Sequence, residues 1–300
     1  MSAFLAADDL DADRTPDHRQ AGPTVLRMIV GAQLRRLREA GNITRAVAGY
    51  EIRASDTKIS RLELGRTGFK PRDVADLLTL YGVTDAALRD DLLALAEQAN
   101  MPGWWQAYSD VVPPWFEPYI GLEQAASVIR MWEVQFIPGL LQTEDYARTV
   151  IRLARDTAEG EVERRVGLRM RRQHILTGAK AVKLWAVIDE AALRRLVGGA
   201  ATMRAQIEHL LEVGELPNVT IQVMPFSFGG HAAAGGPITI LRLAAHELPD
   251  VVYLEQLTSA LYPDKPAEIM HYWDVMNRLS VEAESSAATV RRLRSILKEL

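Results

Sequence analysis

The chain has 300 residues, with 35 basic and 39 acidic side chains and a formal net charge of −4. Its 48% apolar and 25% charged content suits a globular chain long enough to bury a core unaided. The absence of cysteine excludes disulfide frameworks, thiolate metal centres and cysteine nucleophiles.

Residues 1–24 read as a disordered acidic tail. Asp8, Asp9, Asp11, Asp13 and Asp17 outnumber Arg14 and Arg19, and no apolar run suits a secretory signal. Nothing approaches the roughly 20 apolar residues of a membrane span, so a cytoplasmic location with no membrane partner is expected.

Helical spacing governs residues 25–100, read as a five-helix domain. Val30, Leu34 and Leu37 form the stripe of a first helix that ends at Gly41-Asn42. Thr44 caps a short second helix carrying Val47 and Ala48, and Arg53-Ala54 makes a tight connection. Ser55 caps a third helix with Ile59 and Leu62 inward, ended by Gly65. Pro71 opens a fourth, with Val74, Leu77 and Leu78 buried and Gly82 as its stop. The fifth carries Leu88, Leu92 and Leu95 on one face.

The composition changes at Met101-Pro102-Gly103. Trp104, Trp105, Tyr108, Trp115, Phe116 and Tyr119 follow within sixteen residues, among prolines. They read as an irregular anchor between two domains, or as a ligand cage or partner groove, with Trp104, Trp105, Tyr108 and Trp115 the candidate contacts. Helices are expected over 122–133, 143–155 and 158–176. Strands are expected over 182–188, 219–223, 238–241 and 251–254, with helices at 190–197, 201–213, 265–279 and 284–299. The fold class is therefore mainly α with an α+β part: a five-helix N-terminal domain, then a mixed α/β domain over 101–300 with about four strands.

Charge is segregated along this plan. Residues 25–70 hold ten basic side chains against four acidic ones, a net of +6, beside a more acidic remainder. Two short helices joined by a tight turn, the second capped by Ser55, make a helix-turn-helix. The major groove of B-DNA admits one such helix if its first turn presents polar side chains to base edges. Asp56, Thr57, Ser60 and Arg61 lie opposite Ile59 and Leu62, while Lys58, Arg66 and Arg45 flank that surface within reach of phosphates. The competing reading is a helical bundle that binds a protein.

Leu34-Arg35-Arg36-Leu37-Arg38, Ile43-Thr44 and the run Ser55-Asp56-Thr57-Lys58-Ile59-Ser60-Arg61-Leu62-Glu63-Leu64-Gly65-Arg66 resemble the phage-repressor-type (XRE) helix-turn-helix. Pro102-Gly103-Trp104-Trp105, residues 133–143 (Glu133-Val134-Gln135-Phe136-Ile137-Pro138-Gly139-Leu140-Leu141-Gln142-Thr143) and residues 217–223 (Pro217-Asn218-Val219-Thr220-Ile221-Gln222-Val223) are similar to antitoxin-like regulators of that type from high-GC Gram-positive bacteria. The resemblance implies a transcriptional regulator that binds double-stranded DNA through Arg45, Ser55, Asp56, Thr57, Lys58, Ser60, Arg61 and Arg66. It implies that Arg38 pairs with Glu63 as a structural brace, and that a small partner protein often accompanies such chains. Arg45 stands where many of these domains have Gln, and Arg53 where the turn often has Gly.

Two half-sites one helical turn apart are the usual route to specificity, so a homodimer on an inverted repeat is expected. Arg164, Arg165, Arg169, Arg171 and Arg172 make either a second phosphate contact or a solvated helix face paired with Glu159, Glu161 and Glu163. The glycine-rich stretch 229–236 lacks the helix and Lys-Ser/Thr of a phosphate cradle, and Pro225-Phe226-Ser227-Phe228-Gly229 is half of a nucleophile elbow. The six histidines are scattered without metal-ligand spacing. No metal, no cofactor and no enzymatic activity are expected. An antitoxin that sequesters a small partner, with DNA binding only autoregulatory, is the alternative function.

Overall fold

A computed structural model describes residues 22–153, 158–245 and 248–300. The acidic tail therefore falls outside the described residues up to position 21, as do His18 and His246. The chain divides into two compact units at residues 101/102. Among the described residues no helix is long and apolar enough to cross a membrane.

Among the described residues the first unit holds five α-helices: α1 (Pro23–Ala40), α2 (Arg45–Glu51), α3 (Asp56–Glu63), α4 (Pro71–Leu80) and α5 (Ala86–Ala99). Pro23 and Thr24 belong to α1 and not to the tail, because proline suits a first helical position where no N–H partner exists. Thr44, Ser55 and Asp85 cap α2, α3 and α5, each side chain accepting a backbone N–H of the first turn. Leu26, Val30, Leu34, Ile59, Leu62, Val74, Leu77 and Leu78 meet in one core. Two of the apolar residues read on these helices face outward: Val47 is 50% and Leu88 is 41% exposed. In α2 the inward positions fall to Ala48 and Gly49. A Cβ on Gly49 would sit 2.7 Å from the Ala54 carbonyl oxygen, so the close approach of α2 to the start of α3 needs a glycine.

The second unit contains a six-stranded sheet of order β3-β2-β1-β4-β5-β6. The strands are β1 (Ala126–Glu133), β2 (Lys183–Asp189), β3 (Val219–Met224), β4 (Ile238–Leu243), β5 (Val251–Glu255) and β6 (Ala260–Leu261). β1, β2 and β3 are mutually parallel, and β4 turns antiparallel on the other side of β1. The expectation of about four strands is thus corrected to six. Residues 126–133 form the central strand β1, not a helix. The helix there is α6 (Glu117–Ala125), which stops where the β-branched run begins.

The remaining α-helices among the described residues are α7 (Glu144–Arg152), α8 (Glu159–Arg172), α9 (Glu190–Arg194), α10 (Ala200–Val213), α11 (Pro266–Glu282) and α12 (Ser286–Glu299). α11 packs on the sheet face that carries Arg130, Trp132 and Ile240. There the buried Arg130 guanidinium lies between the Trp185 and Trp273 rings, at 4.8 and 5.1 Å, and donates to Asn277 and to the Met276 carbonyl. α8 sends Arg172 to Glu123 of α6, 2.7 Å away.

Candidate nucleic-acid interface

The turn between α2 and α3 is closed by backbone. Ala54 N–H donates to the Gly49 carbonyl at 2.8 Å, and Arg53 N–H to the Tyr50 carbonyl at 3.1 Å. To make the turn, Arg53 adopts φ +54°, in the left-handed region that favours glycine. Arg53→Gly is expected to raise the stability of this unit by about 0.5–1 kcal/mol, the steric relief exceeding glycine's entropic cost. Thermal unfolding would show a midpoint several degrees higher; an unchanged or lower midpoint would contradict a strained turn.

α3 then presents two unlike faces. Ile59 and Leu62 are buried at 1% and 3% exposure, while Asp56, Thr57 and Arg61 are exposed and Ser60 is half-buried. Ser55 acts as the cap, its Oγ accepting from Lys58 N–H at 3.2 Å. Asp56 Oδ1 accepts from Thr57 N–H at 2.7 Å and from the Thr57 hydroxyl at 3.3 Å. A carboxylate at this helix N-terminus is favoured by the aligned peptide dipoles. Lys58 does not stand free: its Nζ lies 2.9 Å from Asp73 of α4, so a phosphate contact by Lys58 competes with an internal partner. Arg61 and Arg45 are exposed and form no ion pair among the described residues. Arg66 follows the helix on an exposed turn, its N–H donating to the Arg61 carbonyl.

The brace behind this face is Arg38–Glu63. Both residues are 8% exposed; Arg38 Nε and Nη2 reach the two carboxylate oxygens of Glu63, the second at 3.0 Å. Arg38 Nη1 also donates to the Ile43 carbonyl at 2.8 Å, joining α1, the α1–α2 loop and α3. The hydrogen bond to Glu63 holds the Arg38 pKa above its ordinary value against the opposing cost of burial. Nearby, burial lifts the Tyr81 phenol to about 12, with the Glu63 charge adding to it. Gly31 completes the fit, since a Cβ there would come within 2.4 Å of the Leu62 carbonyl oxygen. The loop after α3 is tied in turn to the end of α5, where Asn100 exchanges two hydrogen bonds with the Phe69 backbone.

One surface residue escaped the reading of the sequence. Tyr50 is 86% exposed, and with the half-exposed Val47 it gives α2 an apolar strip facing solvent. The signal was available in the spacing, because Ala48 and Gly49 are the only inward positions that a seven-residue helix offers.

In the second unit, Trp104, Trp105, Tyr108 and Trp115 do not line an open cage. Trp105 is 4% exposed, packed with Val112, Ile120 and Leu168. Trp104 Nε1 donates to Gln124 at 2.7 Å, with Arg171 4.5 Å above the ring, and Trp115 meets Phe116 edge-on at 5.7 Å. Tyr108 lies under Arg164. The arginines of α8 are likewise engaged: Arg164 with Asp110, Arg165 with Glu161, Arg172 with Glu123, and Arg169 with Gln142.

Comparison with known families follows the same division. A helix-turn-helix domain family matches residues 29–92. A domain family of unknown function, DUF5753, matches residues 116–295. No curated protein and no solved structure matches the chain. With a helix-turn-helix domain ahead of a match that spans more than half its length, the chain belongs to the DUF5753 family.

Proposed function

We propose that this chain is a sequence-specific, XRE-type transcriptional regulator that binds double-stranded DNA as a homodimer on an inverted repeat. Residues 101–300 bind a small partner protein or ligand and set when the first unit engages DNA; the role is cytoplasmic and involves no chemical step. One observation carries the reading. On a helix capped by Ser55 and clamped through Ile59, Leu62 and Glu63, Thr57 and Arg61 face outward, both exposed among the described residues. An arginine free on the outer face of such a helix suits the acceptor pair of guanine in the major groove. The +6 charge of residues 25–70 supplies the sequence-independent attraction to phosphate.

The test begins with genome-wide capture of DNA by the native chain, followed by titration of a captured site. Arg61→Ala is expected to weaken binding to that site by about 5- to 150-fold, the equivalent of 1–3 kcal/mol, with a smaller loss on random DNA. Equal affinity of native and variant chains for the captured site would refute the placement of α3 in the groove. Gel filtration with light scattering on the same complex reads the stoichiometry. One chain per inverted repeat would refute the homodimer.

A further inference from the structure

The outer face of α3 begins with hydrogen-bond acceptors and continues with donors. Asp56 uses one carboxylate oxygen, Oδ1, to accept from Thr57 N–H at 2.7 Å and from the Thr57 hydroxyl at 3.3 Å. The hydroxyl thereby gives up its one hydrogen, so outward Thr57 has lone pairs and a methyl group but no donor. Asp56 Oδ2 has no hydrogen-bond partner among the described residues, and Asp56 forms no ion pair there. The first two residues of the helix, both exposed, thus form a surface of acceptors only. Arg61, five residues on, is exposed and carries only donors.

The charge of Asp56 has no evident use within the fold. Among the described residues it is the one exposed acid of α3, because Glu63 is buried against Arg38. It stands in a segment, residues 25–70, whose net charge is +6. A carboxylate facing a lattice of phosphates weakens the sequence-independent attraction that this segment otherwise supplies. Ser55 already caps the helix by accepting from Lys58 N–H, and the Lys58 ammonium turns to Asp73 instead of Asp56. A neutral amide at position 56 would accept from Thr57 N–H equally well. What the carboxylate adds is an acceptor oxygen and a negative charge directed outward, where only a donor on the bound molecule gains from them.

Two donors project into the major groove, the N6 amino group of adenine and the N4 amino group of cytosine. Adenine N6 stands between two acceptors, its own N7 and the O4 of the paired thymine, and an all-acceptor turn is repelled by both. Cytosine N4 has a C–H on the side away from guanine. We infer that Asp56, with Thr57 beside it, reads the N4 amino group of cytosine, and that its charge opposes binding wherever that donor is missing. Asp56 is then a specificity-determining residue: it favours one C:G pair and weakens the hold on all other DNA. Arg61 reads a guanine nearby. Five residues span roughly 7.5 Å of helix, or about two to three base pairs at a rise of about 3.4 Å each. This rests on the DNA-binding reading of α3 and gives it a base identity.

The test is selection from a pool of randomised duplexes by the full native chain and by Asp56→Asn. Asparagine keeps the size of the side chain and the oxygen that accepts from Thr57 N–H, and its amide matches N6 and N7 of adenine. The native chain is expected to enrich a C:G pair within about three base pairs of a guanine. The variant is expected to keep the guanine and to exchange the cytosine for adenine. Titrations of the native-selected duplex and of a random duplex are expected to move in opposite directions. The variant should bind the first about 10-fold more weakly and the second about 2- to 5-fold more tightly. A purely structural role for Asp56 would move both the same way. The inference is overturned if both chains enrich the same base at every position, or if the variant loses affinity for both duplexes alike. A native chain that enriches a sequence sensitive to Arg61→Ala but lacking that cytosine overturns the base assignment and leaves the regulator reading intact. A native chain that enriches no sequence overturns that reading and the base assignment with it.

Discussion

Glu123→Gln is expected to destabilise residues 102–300 by about 3–5 kcal/mol, the cost of leaving a buried charge without its counter-ion. In the native chain Arg172 Nε and Nη2 each lie 2.7 Å from a carboxylate oxygen of Glu123, with the two side chains at 8% and 2% exposure. The Phe116 and Tyr119 rings lie 5.0 and 5.4 Å from the guanidinium, and Tyr119 is itself buried, so no water replaces the lost carboxylate. Burial, with the Glu123 charge adding to it, holds the Tyr119 pKa well above its ordinary value, so the phenol gives Arg172 no anion in exchange. Urea titration of the second unit measures the loss. The double variant Glu123→Leu/Arg172→Met, which removes both charges, is expected to lose less than Glu123→Gln alone. A single variant as stable as the native chain would show that the pair contributes nothing to holding α6 on α8.

This pair marks where the sequence stopped being readable. Local signals were legible wherever the cause is local. Thr44 and Ser55 stand as caps before short apolar periods, Pro71 opens a helix, and Val219, Ile221 and Val223 alternate along a strand. β1 was not legible. It follows α6 without a break, and Ile129, Arg130, Met131 and Trp132 are all buried, on both faces of the sheet. Burial on both faces erases the period-two alternation that separates strand from helix. β6 is two residues long and exists only through its pairing with Leu254 and Glu255. At the candidate DNA surface the outward residues of α3 were legible because a capped helix with Ile59 and Leu62 inward has only one free face. The engagement of Lys58 by Asp73 spans fifteen residues and two helices, so no spacing within α3 could disclose it. The same holds for residues 137–142, whose partners Tyr146, Arg169 and Gln206 come from α7, α8 and α10 and meet only when the unit is assembled.

Glu63→Gln is the matching experiment in the first unit, and it separates support from recognition. Arg38 is 8% exposed and would keep its bond to the Ile43 carbonyl, but its charge would be left with only the half-exposed Glu39 carboxylate, 3.4 Å away. A loss of about 3–5 kcal/mol follows, against a total stability of about 5–15 kcal/mol for a typical domain. α3 is held to α1 through this pair and through the backbone contact at Gly31, so DNA binding should fall together with helicity even though Glu63 lies on the buried side. Arg61→Ala should behave in the opposite way, with DNA affinity lost and thermal midpoint unchanged, because that side chain is exposed and forms no ion pair among the described residues. Circular dichroism and DNA titration on the same preparations resolve the two. If both charges are replaced, as in Arg38→Met/Glu63→Leu, part of the fold and with it part of the DNA affinity should return, since neither variant residue touches the outer face of α3. A double variant that folds with native stability but binds no DNA would show that the Arg38–Glu63 pair does more than hold the helix in place.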